Sequence, residues 1–87
     1  FYSPLQNSLF VFDANNFRIR KISFNFTNNL NIIKTFVGNG AIGFSGDLGQ
    51  AINATIGSNI FGINEDENGN LFFADSNNKV IRRVDLQ

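Results

Sequence analysis

Residues 9–22 read LFVFDANNFRIRKI and residues 71–84 read LFFADSNNKVIRRV, and this match determines the predicted architecture. The two segments align without a gap at an offset of 62 residues, and seven of their fourteen positions are identical. Such self-similarity indicates that one supersecondary unit occurs twice, because repeat proteins stack copies of a single unit. The 87-residue chain therefore holds one full period and part of another.

Each copy predicts two strands joined by a turn. The runs Leu9–Phe12 and Leu71–Ala74 are apolar at successive positions, which is typical of strands buried on both faces. We expect the phenylalanines of these runs to lie between sheets, namely Phe10, Phe12, Phe72 and Phe73. The strand that follows each turn, 17–22 or 79–84, mixes Ile with Arg and Lys, so we expect it to lie nearer solvent.

The turn in each copy has the pattern Asp-x-Asn-Asn. Asp and Asn accept local backbone hydrogen bonds and tolerate left-handed dihedrals, so both types favour turns. The structural turn residues are Asp13, Asn16, Asp75 and Asn78. We expect both Asp carboxylates to accept hydrogen bonds, and Asp75→Ala to cost about 1–2 kcal/mol of stability.

Two more strands are predicted at Asn31–Val37 and Gly62–Glu65. Asn68-Gly69 lies before Leu71 and is a strong hairpin signal, so both are taken as turn residues. The order is three strands, a Gly-rich loop and three strands, with the innermost strand of the first unit missing. Antiparallel units of four strands with both faces buried indicate the blades of a β-propeller.

The predicted fold class is therefore all-β, a propeller segment of about one and a half four-stranded antiparallel blades. A partial first blade covers residues 1–37, a Gly-rich inter-blade loop covers 38–57, and a partial second blade covers 58–87. Two incomplete blades cannot close a ring, so we expect the chain to be part of a longer propeller.

The stretch from Val37 to Asp85 resembles the NHL-repeat family of β-propellers. GNGAIGFSGDLGQAINATI (38–56) is similar to the segment that links blades in that family, and GINEDENGNLFFADSNNKVIRRVD (62–85) is similar to its strand–turn–strand pattern. The sequence departs from the family at four places. Leu48 replaces a usual Gly, Gln50 and Ile60 replace usual Pro residues, and Glu65 replaces an apolar residue of the innermost strand.

Composition excludes several kinds of chemistry. The chain has no Cys and no His, so disulfides, thiolate metal sites and imidazole catalysis are ruled out. Seven basic and seven acidic residues cancel, which argues against a strongly electropositive surface for nucleic acid. No apolar run approaches ~18 residues, so we expect no membrane insertion. We predict no enzyme activity and no cofactor.

Two loops invite a ligand-binding interpretation. The Gly-rich loop lacks the Lys-Ser/Thr ending of a phosphate-binding loop, so we interpret its glycines as packing devices, with Ser45–Asp47 opening a short helical turn. Asp66, Asn68 and Asn70 alternate as in a calcium loop, but Leu71 stands where that loop needs Gly. We therefore predict a hairpin turn there and no metal site.

Basic residues recur at equivalent places in the two copies, and stacking would align them in a small basic stripe. The candidate partner-binding residues are Arg18, Arg20, Lys21, Lys79, Arg82 and Arg83. Some NHL propellers bind single-stranded RNA through a basic face, so RNA binding is one alternative function. A second alternative is part of a propeller enzyme whose catalytic residues lie outside this segment.

The main functional hypothesis is an interaction scaffold that mediates protein–protein binding or assembly within a larger protein. Its expected partners are other blades of the same or neighbouring chains, together with a protein ligand. Two sequons, at Asn25 and Asn53, are candidate glycosylation sites. With fifteen Asn in the chain they arise readily by chance, so they permit an extracellular or cell-surface glycoprotein without indicating one.

Overall fold

The computed structural model describes residues 1–25 and 27–85, and its regular structure consists of two antiparallel sheets. The strands are β1 (Tyr2–Ser3), β2 (Ser8–Asp13), β3 (Arg18–Asn25), β4 (Leu30–Val37), β5 (Ile60–Glu65), β6 (Leu71–Asp75) and β7 (Val80–Val84). The first sheet has the order β1-β2-β3-β4 and the second has the order β5-β6-β7. The all-β prediction is confirmed.

Three short 3-10 helices lie in the connections, at Ala14–Asn16, Ala51–Asn53 and Ser76–Asn78. The first and third are formed by the last three residues of the two Asp-x-Asn-Asn patterns, directly after the Asp. Each is followed by a residue in the left-handed region, Phe17 at φ 52° and Lys79 at φ 58°. That conformation lets the next strand return antiparallel to the previous one, as the repeated turn predicts.

The hydrophobic core lies between the two sheets, and both sheets contribute to it. Its buried members are Phe10, Ile19 and Val37 from the first sheet, Ile56 from the connecting loop, and Ile60, Leu71, Phe73 and Val84 from the second sheet. The Phe10 ring also packs edge-on against the Phe36 ring, with the two ring centroids 4.9 Å apart. Each large apolar side chain buried in this way contributes roughly 1.5–3 kcal/mol relative to exposure.

The innermost strand of the first copy is present, so the prediction that this unit lacks it is wrong. Tyr2 pairs with Leu9 and Ser3 pairs with Ser8, which makes the first sheet four-stranded. A two-residue strand is too short for hydrophobic alternation to reveal, because one period of the pattern needs two residues.

Glu65 explains part of the position of that short strand. The hydroxyl of Ser3 lies 2.7 Å from both carboxylate oxygens of Glu65 and donates to this group. Ser3 is fully buried, so a polar side chain on the facing strand provides its partner. Glu65 therefore connects β1 of the first sheet to β5 of the second.

One local prediction is wrong. Ser45–Asp47 does not open a helical turn. Ser45 instead forms an isolated bridge with Thr55, and the helical turn of this loop is Ala51–Asn53. The strand after each turn lies nearer solvent than the strand before it, as predicted: β3 has one buried residue where β2 has two, and β7 has two exposed residues where β6 has none.

Candidate functional site

The best-organised polar site surrounds the buried Arg82 of β7. Its guanidinium donates to the backbone carbonyl of Thr55 at 2.7 Å and to that of Ser45 at 2.9 Å. It also forms ion pairs with Asp47 at 2.8 Å and with Asp75 at 3.3 Å. The centre of the guanidinium lies 5.0 Å from the centroid of the Phe44 ring. Arg82 thus binds the Gly-rich loop to the second sheet.

Asp75 and Asn78 complete this arrangement. The fully buried Asp75 carboxylate accepts the backbone N–H of Gly57 at 3.1 Å and the side-chain amide of Asn78 at 3.0 Å. The same Asn78 amide donates to the carbonyl of Gly43 at 3.0 Å. A Cβ on residue 57 would lie 2.5 Å from the Asp75 carboxylate, so the close approach requires Gly. We call Asp75, Asn78 and Arg82 the loop-binding site, because they hold both ends of residues 43–57.

The first copy contains the same three side chains 62 residues earlier, as Asp13, Asn16 and Arg20, and we call them the first-copy site. Asn16 donates to both Asp13 carboxylate oxygens, at 3.0 and 3.1 Å. Arg20 donates to Asp13 at 3.2 Å and to the Thr35 hydroxyl at 2.6 Å. Asp13 has φ −87° and ψ 85°, against −89° and 84° for Asp75. The two sites thus share the backbone dihedrals of the Asp, and in both the Asn and the Arg donate to that Asp.

The two sites differ sharply in exposure. The side chains of Arg82 and Asp75 are 8% and 0% exposed, whereas those of Arg20 and Asp13 are 27% and 31% exposed. The cause is the Gly-rich loop, which covers the loop-binding site. No hydrogen bond between this loop and the three side chains of the first-copy site is found in the described part of the chain.

The two copies of the repeated unit bury opposite faces of their sheets. Ile19 is 0% exposed, whereas its equivalent in the second copy, Ile81, is 70% exposed. Phe10 is buried, and its equivalent Phe72 is only partly buried and lies outside the core. Phe72 lies on the outer face of the second sheet, because neighbouring strand residues point to opposite faces, so its expected place between two sheets stays a prediction.

The basic residues do not form one stripe. Arg20 and Lys21 are consecutive in β3 and thus lie on opposite faces of the sheet. Lys21 donates to the Gln6 side chain at 2.9 Å and lies near the rings of Phe10 and Phe36. The remaining members are also dispersed: Arg18 donates to the Asn39 carbonyl, Arg83 pairs with Asp85, and Lys79 is exposed in a turn.

The hairpin between β5 and β6 is organised by Asp66. Its carboxylate accepts the backbone N–H groups of Asn68 and Asn70 and the side-chain amide of Asn70. These bonds, led by that from the Asn70 side chain, lower the pKa of Asp66 below its ordinary value of 3.8. Gly69 adopts φ 87°, which completes the turn. Within residues 1–25 and 27–85, no group of three or more acidic side chains could hold a metal ion.

The two sequons occupy different settings. Asn25 ends β3, and its side chain accepts the backbone N–H groups of Thr27 and Asn28. Phe26, the middle residue of that sequon, lies outside the described residues. Asn53 is exposed at the end of its 3-10 helix. Across the described ranges, no helix has the length and apolarity that crossing a membrane requires.

Sequence reasoning missed the partners of Arg82 in the loop, above all Asp47 and Phe44. One signal was available. Asp47 is the sole charged residue in the segment from Gly38 to Gly57. A single carboxylate in an otherwise uncharged loop favours a cationic partner elsewhere in the fold.

Comparisons of the chain with protein-family models, with curated proteins and with solved structures return no match.

Proposed function

We propose that this chain is a segment of an NHL-type β-propeller and acts as an interaction scaffold that mediates protein–protein binding or assembly. The observation that carries the proposal is the reversal of burial between the two copies. The first sheet buries the face of Phe10 and Ile19, and the second sheet buries the opposite face, that of Leu71 and Phe73. Equivalent sheets thus pack front to back, which is the way that blades follow one another around a propeller.

Front-to-back packing leaves one face free on each sheet. The outer face of the second sheet carries Phe72, Ala74 and Ile81, the equivalents of the buried Phe10, the partly buried Phe12 and the buried Ile19. The outer face of the first sheet carries Leu9 and Val11, the equivalents of Leu71 and Phe73. Each free face therefore resembles a face that its own chain buries against a sheet. Apolar faces of this kind favour protein partners.

The edge strand of the second sheet supports the same proposal. β3 pairs with β4 along most of its length, whereas β7, its equivalent, is an edge strand of its sheet. An unpaired edge of five residues offers backbone donors and acceptors to a further strand. The dispersal of the basic residues favours this scaffold over an RNA-binding face.

Sedimentation velocity over a range of protein concentrations tests the proposal. The 87-residue chain should associate as its concentration rises, since both outer faces are apolar. Ile81→Glu should shift the chain towards the monomer by placing a charge on the outer face of the second sheet. Asn59→Glu adds the same charge at an exposed loop position and serves as the matched control. A wild-type chain that stays monomeric at every concentration and unfolds cooperatively would contradict the scaffold proposal.

A further inference from the structure

The first-copy site has the geometry of a loop-binding site without the loop. Asp13, Asn16 and Arg20 share their spacing with Asp75, Asn78 and Arg82, and the two Asp residues share their backbone dihedrals. In each site the Asn and the Arg donate to the Asp, although Arg20 uses Nε and Arg82 uses Nη1. We infer that the first-copy site binds a Gly-rich acidic loop of the type formed by residues 43–57, supplied from outside residues 1–87. This inference rests on the proposed scaffold function and names the chemistry of one partner.

The chemistry of the ligand follows from what the second copy already binds. Arg82 donates hydrogen bonds to one carboxylate and two backbone carbonyls of the loop, and an aromatic ring of the loop lies near its guanidinium. The buried Asp75 accepts a hydrogen bond from the backbone N–H of a Gly, and Asn78 donates one to a further backbone carbonyl. A loop with the order Gly-Phe-Ser-Gly-Asp and a distal Thr-Ile-Gly supplies all of these groups. Charge-assisted bonds of this kind are the strongest in such a set.

The first-copy site is accessible to such a loop. Arg20 and Asp13 are each about a quarter to a third exposed, and Asn16 is exposed. Leu9 and Val11 beside them are only partly buried, whereas their equivalents Leu71 and Phe73 are fully covered. The loop would therefore cover apolar surface and also meet the charged groups.

The loop of the same molecule cannot be the ligand while its own site is intact. Residues 43–57 are held by Arg82, Asp75 and Asn78, and they connect β4 to β5. An intramolecular loop is held at a high effective concentration, so residues 43–57 stay on the loop-binding site. The ligand is therefore a loop other than residues 43–57.

A peptide titration followed by NMR tests the inference. The peptide is GFSGDLGQAINATIG, residues 43–57, added to the ¹⁵N-labelled full chain that carries Ile81→Glu to limit association. Amide signals of Asp13, Asn16 and Arg20 should shift in a saturable manner. Signals of the loop-binding site should stay in place, because its own loop occupies it. NMR detects the weak affinity expected of a flexible peptide that must be ordered on binding.

Variants of both partners sharpen the test. The dissociation constant of the peptide with Asp47→Asn should be roughly tenfold higher or more, since that peptide loses a charged hydrogen bond. Arg20→Gln in the protein should abolish the shifts, whereas Lys34→Gln, which removes an exposed cation from the opposite face of the first sheet, should leave them unchanged. The peptide variant needs no folded partner of its own, so it remains informative if Arg20→Gln perturbs the sheet.

The outcomes separate this inference from the scaffold proposal. No shift at the first-copy site up to the solubility limit of the peptide would overturn the inference, as would shifts confined to Asp75, Asn78 and Arg82. Equal shifts with Arg20→Gln would also overturn it. If any of these occurs while Ile81→Glu still suppresses association, the binding site is wrong and the scaffold stands. A cooperative wild-type monomer instead contradicts the scaffold, whatever the peptide does.

Discussion

Arg82 and Arg20 occupy equivalent positions in the two copies, but Arg82 is buried and Arg20 is partly exposed. Replacing Arg82 by Met removes its bonds to the Ser45 and Thr55 carbonyls and leaves Asp75 buried without its cation. Breaking a buried ion pair by removing one partner costs about 3–5 kcal/mol. Asp75 keeps the Gly57 N–H and the Asn78 amide, so we expect the lower half of that range.

Arg20→Met removes an equivalent side chain that is more exposed. Its ion pair with Asp13 remains open to water, and pairs of that kind contribute about 0–1 kcal/mol. The expected difference between the two substitutions is therefore about 2–4 kcal/mol. A chain of 87 residues has a total stability of roughly 4–13 kcal/mol, so the loss of Arg82 removes a large share of it.

Urea unfolding followed by far-UV circular dichroism measures both losses, in the Ile81→Glu background so that association does not contribute. Arg82→Lys is the second variant, because it keeps the charge but one ammonium cannot reach every acceptor of the guanidinium. We expect its loss to lie between those of Arg82→Met and the unsubstituted chain. If Arg82→Met and Arg20→Met cost the same, the reasoning from burial fails.

Three further predictions concern other parts of the fold. The lowered pKa of Asp66 means that its bonds, led by that from Asn70, stabilise the hairpin above the ordinary pKa of 3.8 and lose this effect as the pH falls through the folded-state value. An NMR titration of the carboxyl group should thus give a midpoint below 3.8. Leu48 adopts φ 69°, so Leu48→Gly should raise the free energy of unfolding by about 1 kcal/mol, and Leu48→Ala, which keeps the strained Cβ, should not. Phe73→Ala should cost about 3–5 kcal/mol in the same assay. Phe72→Ala should cost clearly less because that ring lies outside the core, and equal losses would contradict the assignment of faces.

Most strands were predictable because their signals are local. The apolar run of β2 and the Asp-x-Asn-Asn turn after it lie within a few residues of each other, and dihedral preference together with side-chain hydrogen bonds suffices there. The short β1 was not predictable in this way. It forms because Ser3 pairs with Ser8 in the neighbouring strand and donates a hydrogen bond to Glu65 of the other sheet. Glu65 lies 62 residues away in the sequence.

The candidate site was predictable only in part. The repeat identified Asp75 and Asn78 as turn residues, and their side chains do bond to each other. It also grouped Arg82 with five other basic residues as candidates for binding a partner, whereas the structure buries Arg82 against the Gly-rich loop. The residues from Ser45 to Thr55 that bind it lie in a segment without strand periodicity, so no local pattern connects them with β7.

The sequence by itself determined that a strand–turn–strand unit occurs twice, since the turn chemistry is encoded within fourteen residues in each copy. The tertiary structure alone decided which face of each unit is buried. Nothing in the two nearly equivalent segments distinguishes Ile19 from Ile81, or Arg20 from Arg82. The difference arises because the two sheets pack front to back and the Gly-rich loop covers only the second copy of the site. Burial depends on what lies across from a residue, and that neighbour comes from a distant part of the chain.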